Sequence, residues 1–248
     1  MHPVPAEYTP PQMGSRVIIG LETALAIAPY ANLLIITGYN SERYTPDTNR
    51  AISNIRCLLF DLSSLAAVRK AAEEVNATKT YIPRVVFLSS IWHEHAHRFD
   101  FADLEHPDPE KYKPLESYSQ AKSAVVLLAA ELSRRSQGAI HGYSVSPGVA
   151  FTNFQQKPEA FEAFFSVGII NFDGTPNLVT FNWKTLPQSA ATTLVAAFGP
   201  GLAAKPGIYL DDCNEAPIAG SNISDPDLPA QLWSLMEKIT GERFEFSE

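Results

Sequence analysis

The sequence predicts an α/β fold, a doubly wound parallel sheet with helices on both faces. Three observations predict it. Short β-branched runs alternate with amphipathic helical stretches along the 248-residue chain, the pattern that builds parallel sheets through helical crossovers. One run, Arg84-Val-Val-Phe-Leu-Ser89-Ser90, is apolar until it ends in two hydroxyls. It reads as a buried parallel strand with polar groups at its carboxyl end, the edge where open α/β sheets place ligands. The next helical run opens with Tyr118-Ser-Gln-Ala-Lys122, which puts Tyr118 and Lys122 one turn apart on one face.

The elements follow in order. Residues 1–13 hold four Pro and read as an irregular arm, and residues 14–248 read as one domain. A short helix from Gly20 stops at Pro29, and Asn32 to Gly38 is a buried strand. Thr48 to Asn54 reads as a helix and Ile55 to Asp61 as a strand. Ser63 and Ser64 cap a helix over Leu65 to Val75. The strand at 84–88 leads into a long loop, then a helix at 117–135 and a strand at 140–146. Residues 153–186 are mixed, with Phe161, Phe164 and Phe165 read as core. A helix at 187–198, a short strand at 207–210, a turn at Asp211-Asp212 and a helix at 228–239 complete the chain.

Composition narrows the function. Net charge is −8 and 45% of residues are hydrophobic, ordinary for a globular protein. The acidic balance argues against a nucleic-acid partner and against an anionic membrane surface. No apolar run reaches the ~18 residues of an integral membrane segment, and the Pro-rich start lacks the apolar stretch of a signal peptide. Cys57 and Cys213 are the only two cysteines. They read as buried thiols in a reducing, cytoplasmic setting. His93, His95 and His97 alternate but have no carboxylate or Cys partner in metal-ligand spacing. They read as a solvated or substrate-lining loop, and no metal is expected.

The chemistry concentrates around the Tyr–Lys pair. A phenol titrates near pH ~10, too high for proton transfer at neutral pH. A neighbouring ammonium favours the phenolate and lowers that pKa, which makes the pair a candidate general acid/base. Downstream, Tyr143-Ser-Val-Ser-Pro147-Gly148-Val-Ala-Phe-Thr152 adds a second strand, a Pro-Gly turn and a hydroxyl.

Strand-Ser, helix-Tyr-Lys and strand-Pro-Gly-Thr, in that order, resemble the short-chain dehydrogenase/reductase family. Further segments are similar to its branch with retinol dehydrogenases, WW-domain oxidoreductases and fungal pathway reductases. They include His97-Arg-Phe-Asp-Phe-Ala-Asp-Leu, Tyr112-Lys-Pro-Leu, Lys184-Thr-Leu-Pro-Gln-Ser, Gly207-Ile-Tyr-Leu-Asp-Asp-Cys213 and Gln231-Leu-Trp. The resemblance covers roughly residues 84–243. It implies a Rossmann-like domain and an NADP- or NAD-dependent reaction on a carbonyl or alcohol of a small apolar metabolite, in secondary metabolism by analogy with the fungal reductases. It makes Ser90, Tyr118 and Lys122 catalytic: Ser90 holds the substrate oxygen, Tyr118 transfers the proton, and Lys122 tunes Tyr118 and holds the ribose. Gly14, Ile19, Gly20, Asp61, Tyr118, Lys122, Ala150 and Thr152 would bind the cofactor, with Thr152 at the nicotinamide amide. A homodimer is common in such proteins.

The chain departs from that pattern in its amino-terminal part. Met13-Gly14-Ser-Arg-Val-Ile18-Ile19-Gly20 keeps the first and third glycines of a phosphate-binding turn, but Ile18 replaces the middle one. The preceding stretch is too Pro-rich for a central strand, so the first strand is degenerate or missing. Tyr39 stands where the branch often has an Arg for the 2′-phosphate of NADP. Between Val75 and Arg84 a strand-plus-helix unit of roughly 30 residues is absent. Three functions stay open: a nicotinamide-dependent oxidoreductase, a cofactor-independent acid/base enzyme (isomerase, dehydratase or cyclase), and a non-catalytic relic.

Overall fold

The computed structural model describes residues 13–17, 21–38, 55–61, 63–76, 83–96, 99, 101–106, 108–152, 155, 158–218, 220, 223 and 225–246. The chain forms two compact units, Met1–Tyr81 and Ile82–Glu248.

In the first unit, β1 (Met13–Val17), β2 (Ala31–Gly38) and β3 (Ile55–Leu59) form a parallel sheet in the order β1-β2-β3. A first strand therefore exists, built from residues expected to form the Gly-rich turn. Gly14 lies within β1 instead of starting that turn. The pairing with β2 is irregular between Met13 and Arg16. The short helix α1 (Leu21–Ile27) buries Thr23, Ala24 and Ile27 on one face, with the spacing of an amphipathic helix. After β3, the Ser64 hydroxyl accepts from Ala67 N at 3.3 Å and caps α2 (Leu65–Asn76). Arg56 and Glu74 form an ion pair that ties β3 to α2. Only residues 77–83 separate α2 from the next strand, so no further strand-plus-helix unit fits there. The helix expected at 48–54 lies outside the described residues.

The second unit has β4 (Arg84–Leu88), β5 (His141–Ser146), β8 (Tyr209–Asp211) and β9 (Asn214–Ala216) in the sheet order β4-β5-β8-β9. β6 (Val149–Ala150) and β7 (Trp183–Lys184) form a separate parallel pair. The edge strand β9 was not expected. It runs antiparallel to β8, and Asp212 and Cys213 between them have φ of 45° and 66°. Two successive left-handed residues match the right-handed twist of a tight hairpin, so the turn expected at Asp211-Asp212 falls one residue later. Cys213 is half-buried there, while the Cys57 side chain lies outside the described residues. The long loop after β4 contains α3 (Phe101–Glu105) and 3₁₀ turns at Ile91–His95 and Pro109–Lys111. Asp108 caps the last of these through Glu110 N at 3.0 Å.

The central strand β5 is buried along its whole length. Tyr143 and Val145 pack with Ala196 of α6 (Leu186–Phe198) and with Leu210. The alternate residues Gly142, Ser144 and Ser146 face the other way, toward α4 (Pro114–Arg135). A Cβ on Gly142 would run into the Ala129 carbonyl, so the missing side chain is what admits the helix. Ser133 Oγ then bonds Gly142 N at 2.8 Å and Gly142 O at 3.1 Å. Outside α4, α7 (Leu228–Thr240) closes a cluster of Leu127, Phe99, Ile223, Leu228 and Leu232. α5 (Pro158–Ser166) lies in the mixed segment. There Phe165 is 43% and Phe172 82% exposed, with the Phe165 and Phe161 rings stacked at 6.0 Å. The phenylalanine cluster is thus partly open, not wholly core.

Glu131 is buried within α4 and bonded by Arg134 Nε and Arg135 Nε, both at 2.7 Å. The Arg134 hydrogen bond, with help from Arg135, holds its carboxyl below the usual range against the opposing effect of burial. Arg135 in turn lies 5.2 Å over the Trp233 ring of α7.

Gly142→Ala should cost about 3 kcal/mol or more, because backbone must move to admit the methyl, and a urea titration reads this as a lower midpoint. A lowered carboxyl pKa stabilises the fold above the unfolded value and loses that contribution as pH falls through the folded one. Glu131→Gln should therefore lower stability at pH 7 by about 1–2 kcal/mol. The gap from wild type should narrow below pH ~4, in denaturation midpoints taken across pH.

Candidate active site

The polar groups gather at the carboxyl end of β4 and β5, where sequence reasoning placed them. Backbone contacts assemble them. Ser89 is buried, and its hydroxyl donates to Lys122 O at 2.8 Å. Ser123 Oγ donates to His93 O at 2.9 Å. Lys122 Nζ donates to Leu88 O at 2.9 Å. Three bonds thus fix the third turn of α4 to the segment Leu88–His93. Sequence pattern left Ser89 and Ser90 equivalent, but the pleat separates them: Ser89 serves packing, while Ser90 is half-exposed.

Ser90 caps the Ile91–His95 turn by accepting from Trp92 N at 3.3 Å. With its oxygen so used, its O–H proton is directed elsewhere. His93 is a correction to the sequence reading. It is fully buried, not solvated, because the 3₁₀ turn folds it beneath α4. Its Nδ1–H donates to Ser90 O at 2.7 Å, and its ring meets Tyr209 edge-on at 4.6 Å. His95 is exposed and lies 4.8 Å from the Trp92 ring; His97 lies outside the described residues. Among the described residues, no group of three or more His, Cys, Asp or Glu could hold a metal ion.

Lys122 Nζ lies 5.5 Å from the centre of the Tyr118 ring. Tyr118 is half-exposed and Lys122 half-buried. Burial pulls the Lys122 ammonium below the usual lysine range, because low-dielectric surroundings disfavour its charge. Tyr209 differs sharply. Burial pushes its phenol up to about 12, which keeps it protonated at neutral pH and unsuited to proton transfer.

The Pro147-Gly148 turn continues the same edge. Gly148 has φ of +72°, and a Cβ there would stand 2.7 Å from Lys184 Cε. The glycine thus supplies both the left-handed turn and the passage for Lys184, which pairs with Asp212 at 2.9 Å. Beyond it, Ala150 is buried in β6 and Thr152 is half-exposed. Both bond Gln155, a residue for which the sequence carried no signal. A cleft of about 610 Å³ is lined by Phe151, Gln155, Phe161 and Pro176, with Asp173, Gly174 and Thr175 on its polar side.

Of the remaining expected cofactor residues, Gly14 lies in β1, and Ile19 and Gly20 lie outside the described residues, as does Tyr39. Asp61 Oδ1 accepts from Ser63 N at 2.8 Å and Ser63 Oγ at 2.7 Å. The Ser63 backbone and hydroxyl bonds hold its carboxyl below the usual range.

No family profile matches the chain, but individual proteins do. It is 31% identical over 179 residues to the short-chain dehydrogenase/reductase prx1 of Penicillium roqueforti, across 66% of this chain and 48% of that protein. It is 32% identical over 163 residues to the chloroplastic short-chain dehydrogenase TIC 32 B of Brassica napus, across 63% of this chain and 46% of that protein. The WW domain-containing oxidoreductase of Drosophila melanogaster matches at 25% identity over 94% of this chain and 68% of its own. By these matches the chain resembles the short-chain dehydrogenase/reductase family. It spans about half the length of the first two of these relatives.

Solved structures show the same fold. An uncharacterized Mycobacterium paratuberculosis protein matches with a TM-score of 0.65 and 19% identity, over 94% of each chain. NADPH-bound ElxO matches with a TM-score of 0.53 and 14% identity, over 81% of this chain and 97% of its own. Within this short-chain dehydrogenase/reductase fold, the described helices include none long and apolar enough to cross a membrane.

Lys122→Met should leave the denaturation midpoint almost unchanged, because removing a burial-penalised charge offsets the lost bond to Leu88. Ser89→Ala removes a buried bond that anchors α4 and should cost about 1 kcal/mol, measured in the same urea titration.

Proposed function

We propose that this protein is an NAD(P)-dependent oxidoreductase that interconverts a carbonyl and an alcohol on a small apolar metabolite. The observation that carries this reading is the half-buried Lys122 ammonium held beside the Tyr118 ring at the sheet's carboxyl edge. In the reducing direction Tyr118 gives its hydroxyl proton to the substrate oxygen, and Lys122 stabilises the phenolate left behind. Ser90 orients that oxygen with the O–H proton its cap leaves available. In the oxidising direction the phenolate takes the alcohol proton back. When bound, the nicotinamide supplies or accepts the hydride.

The residues present fit the nicotinamide end of such a cofactor. Ala150 O with the N–H and hydroxyl of Thr152 already binds a primary carboxamide, that of Gln155. Lys122 and Tyr118 would hold the ribose, with NADP or NAD as the dinucleotide. The apolar lining of Phe151, Phe161 and Pro176 suits a small apolar substrate. A cytoplasmic setting, a homodimeric assembly and a role in secondary metabolism belong to the same proposal.

A second reading, cofactor-independent proton transfer by Tyr118, Lys122 and Ser90, is favoured by one observation. Gly14, expected to open the phosphate-binding turn, is held within strand β1.

Calorimetric titration with NADPH and NADH separates the two. Binding with micromolar affinity, plus oxidation of the cofactor on mixing with apolar aldehydes and ketones, supports the first. Tyr118→Phe should then lower kcat by about 10²–10⁴-fold and leave the Kd for NADPH within about threefold. Absence of dinucleotide binding, with isomerisation or dehydration that Tyr118→Phe abolishes, selects the second.

A further inference from the structure

Gln155 takes no part in the proton chemistry, yet it is 9% exposed and its carboxamide makes three hydrogen bonds. Its Oε1 accepts from Thr152 N–H and from the Thr152 hydroxyl, both at 2.9 Å, and its Nε2 donates to Ala150 O at 2.9 Å. A primary carboxamide offers an acceptor oxygen with two lone pairs and an amino donor, and the 150–152 loop meets it with two donors and one acceptor. A nicotinamide carboxamide carries the same complement of groups. Two carboxamides cannot share those three atoms.

We propose that Gln155 is a built-in competitor of the cofactor: its side chain fills the carboxamide site of the 150–152 loop and must leave before a nicotinamide seats there. The proposal rests on the dinucleotide reading of Ala150 and Thr152 given above. The exchange is chemically balanced, since each hydrogen bond lost by Gln155 is remade by the incoming amide. Its cost is the release of a tethered group whose effective concentration at the loop is high. Gln155 also lines the cleft of about 610 Å³ beside Phe151 and Phe161, which has room for the displaced side chain. Apparent affinity then falls by the fraction of molecules in which Gln155 has swung away. Only the nicotinamide half of the dinucleotide meets this competition.

The test uses Gln155→Met, close in shape but without the carboxamide, and Gln155→Ala, both checked for folding by circular dichroism. Each is titrated calorimetrically with NADPH and with 2′-phospho-ADP-ribose, which lacks the nicotinamide. The Kd for NADPH should fall about tenfold in both variants, equivalent to ~1.4 kcal/mol, with the Kd of the fragment unchanged. Equal NADPH affinity in wild type and variants, with the fragment still bound, overturns the competitor and leaves the dinucleotide reading standing. Weaker NADPH binding in the variants also overturns it, making Gln155 a support of the loop. Failure of every protein to bind either compound removes the dinucleotide reading and this proposal with it.

Discussion

The approach of α4 to the central strand β5 is the constraint on which the rest of the second unit depends. Gly142 has no side chain to hold the helix away, and Ser133 bonds both its amide and its carbonyl. With that distance set, the amino-terminal turns of α4 arrive over the end of β4. Ser89, Lys122 and Ser123 then close bonds to backbone atoms. The reactive side chains are thus positioned by main chain, which reorganises less than side chain does when charge moves.

The electrostatic division of labour follows from depth. Tyr209 sits in the protein interior, where a phenolate is strongly disfavoured. Tyr118 stands half-exposed beside an ammonium. Lys122 is itself penalised by partial burial. At the far end of α4, Glu131 pairs with Arg134 and Arg135 of the same helix. There Arg135 also lies over Trp233 of α7. One helix therefore carries its ion pairs at one end and the Tyr118–Lys122 pair at the other.

The 150–152 loop holds the carboxamide of Gln155 from within the chain. Such self-occupation satisfies buried donors that would otherwise cost free energy.

Periodicity and residue order alone determined the parallel strands β2 to β5, the amphipathic helices α2, α4, α6 and α7, and the Tyr118–Lys122 pair on one helical face, because these are local properties of the backbone. Kinship motifs identified Ser90. Tertiary structure alone decided which serine serves packing, that His93 is buried, and that residues 13–17 form a strand where a glycine turn was expected. It alone placed Gln155 against Ala150 and Thr152 and added the antiparallel β9. Each of these outcomes depends on which face of an element meets a neighbour distant in sequence, or on a side chain closing a bond across a turn. Spacing along the chain carries no record of such contacts.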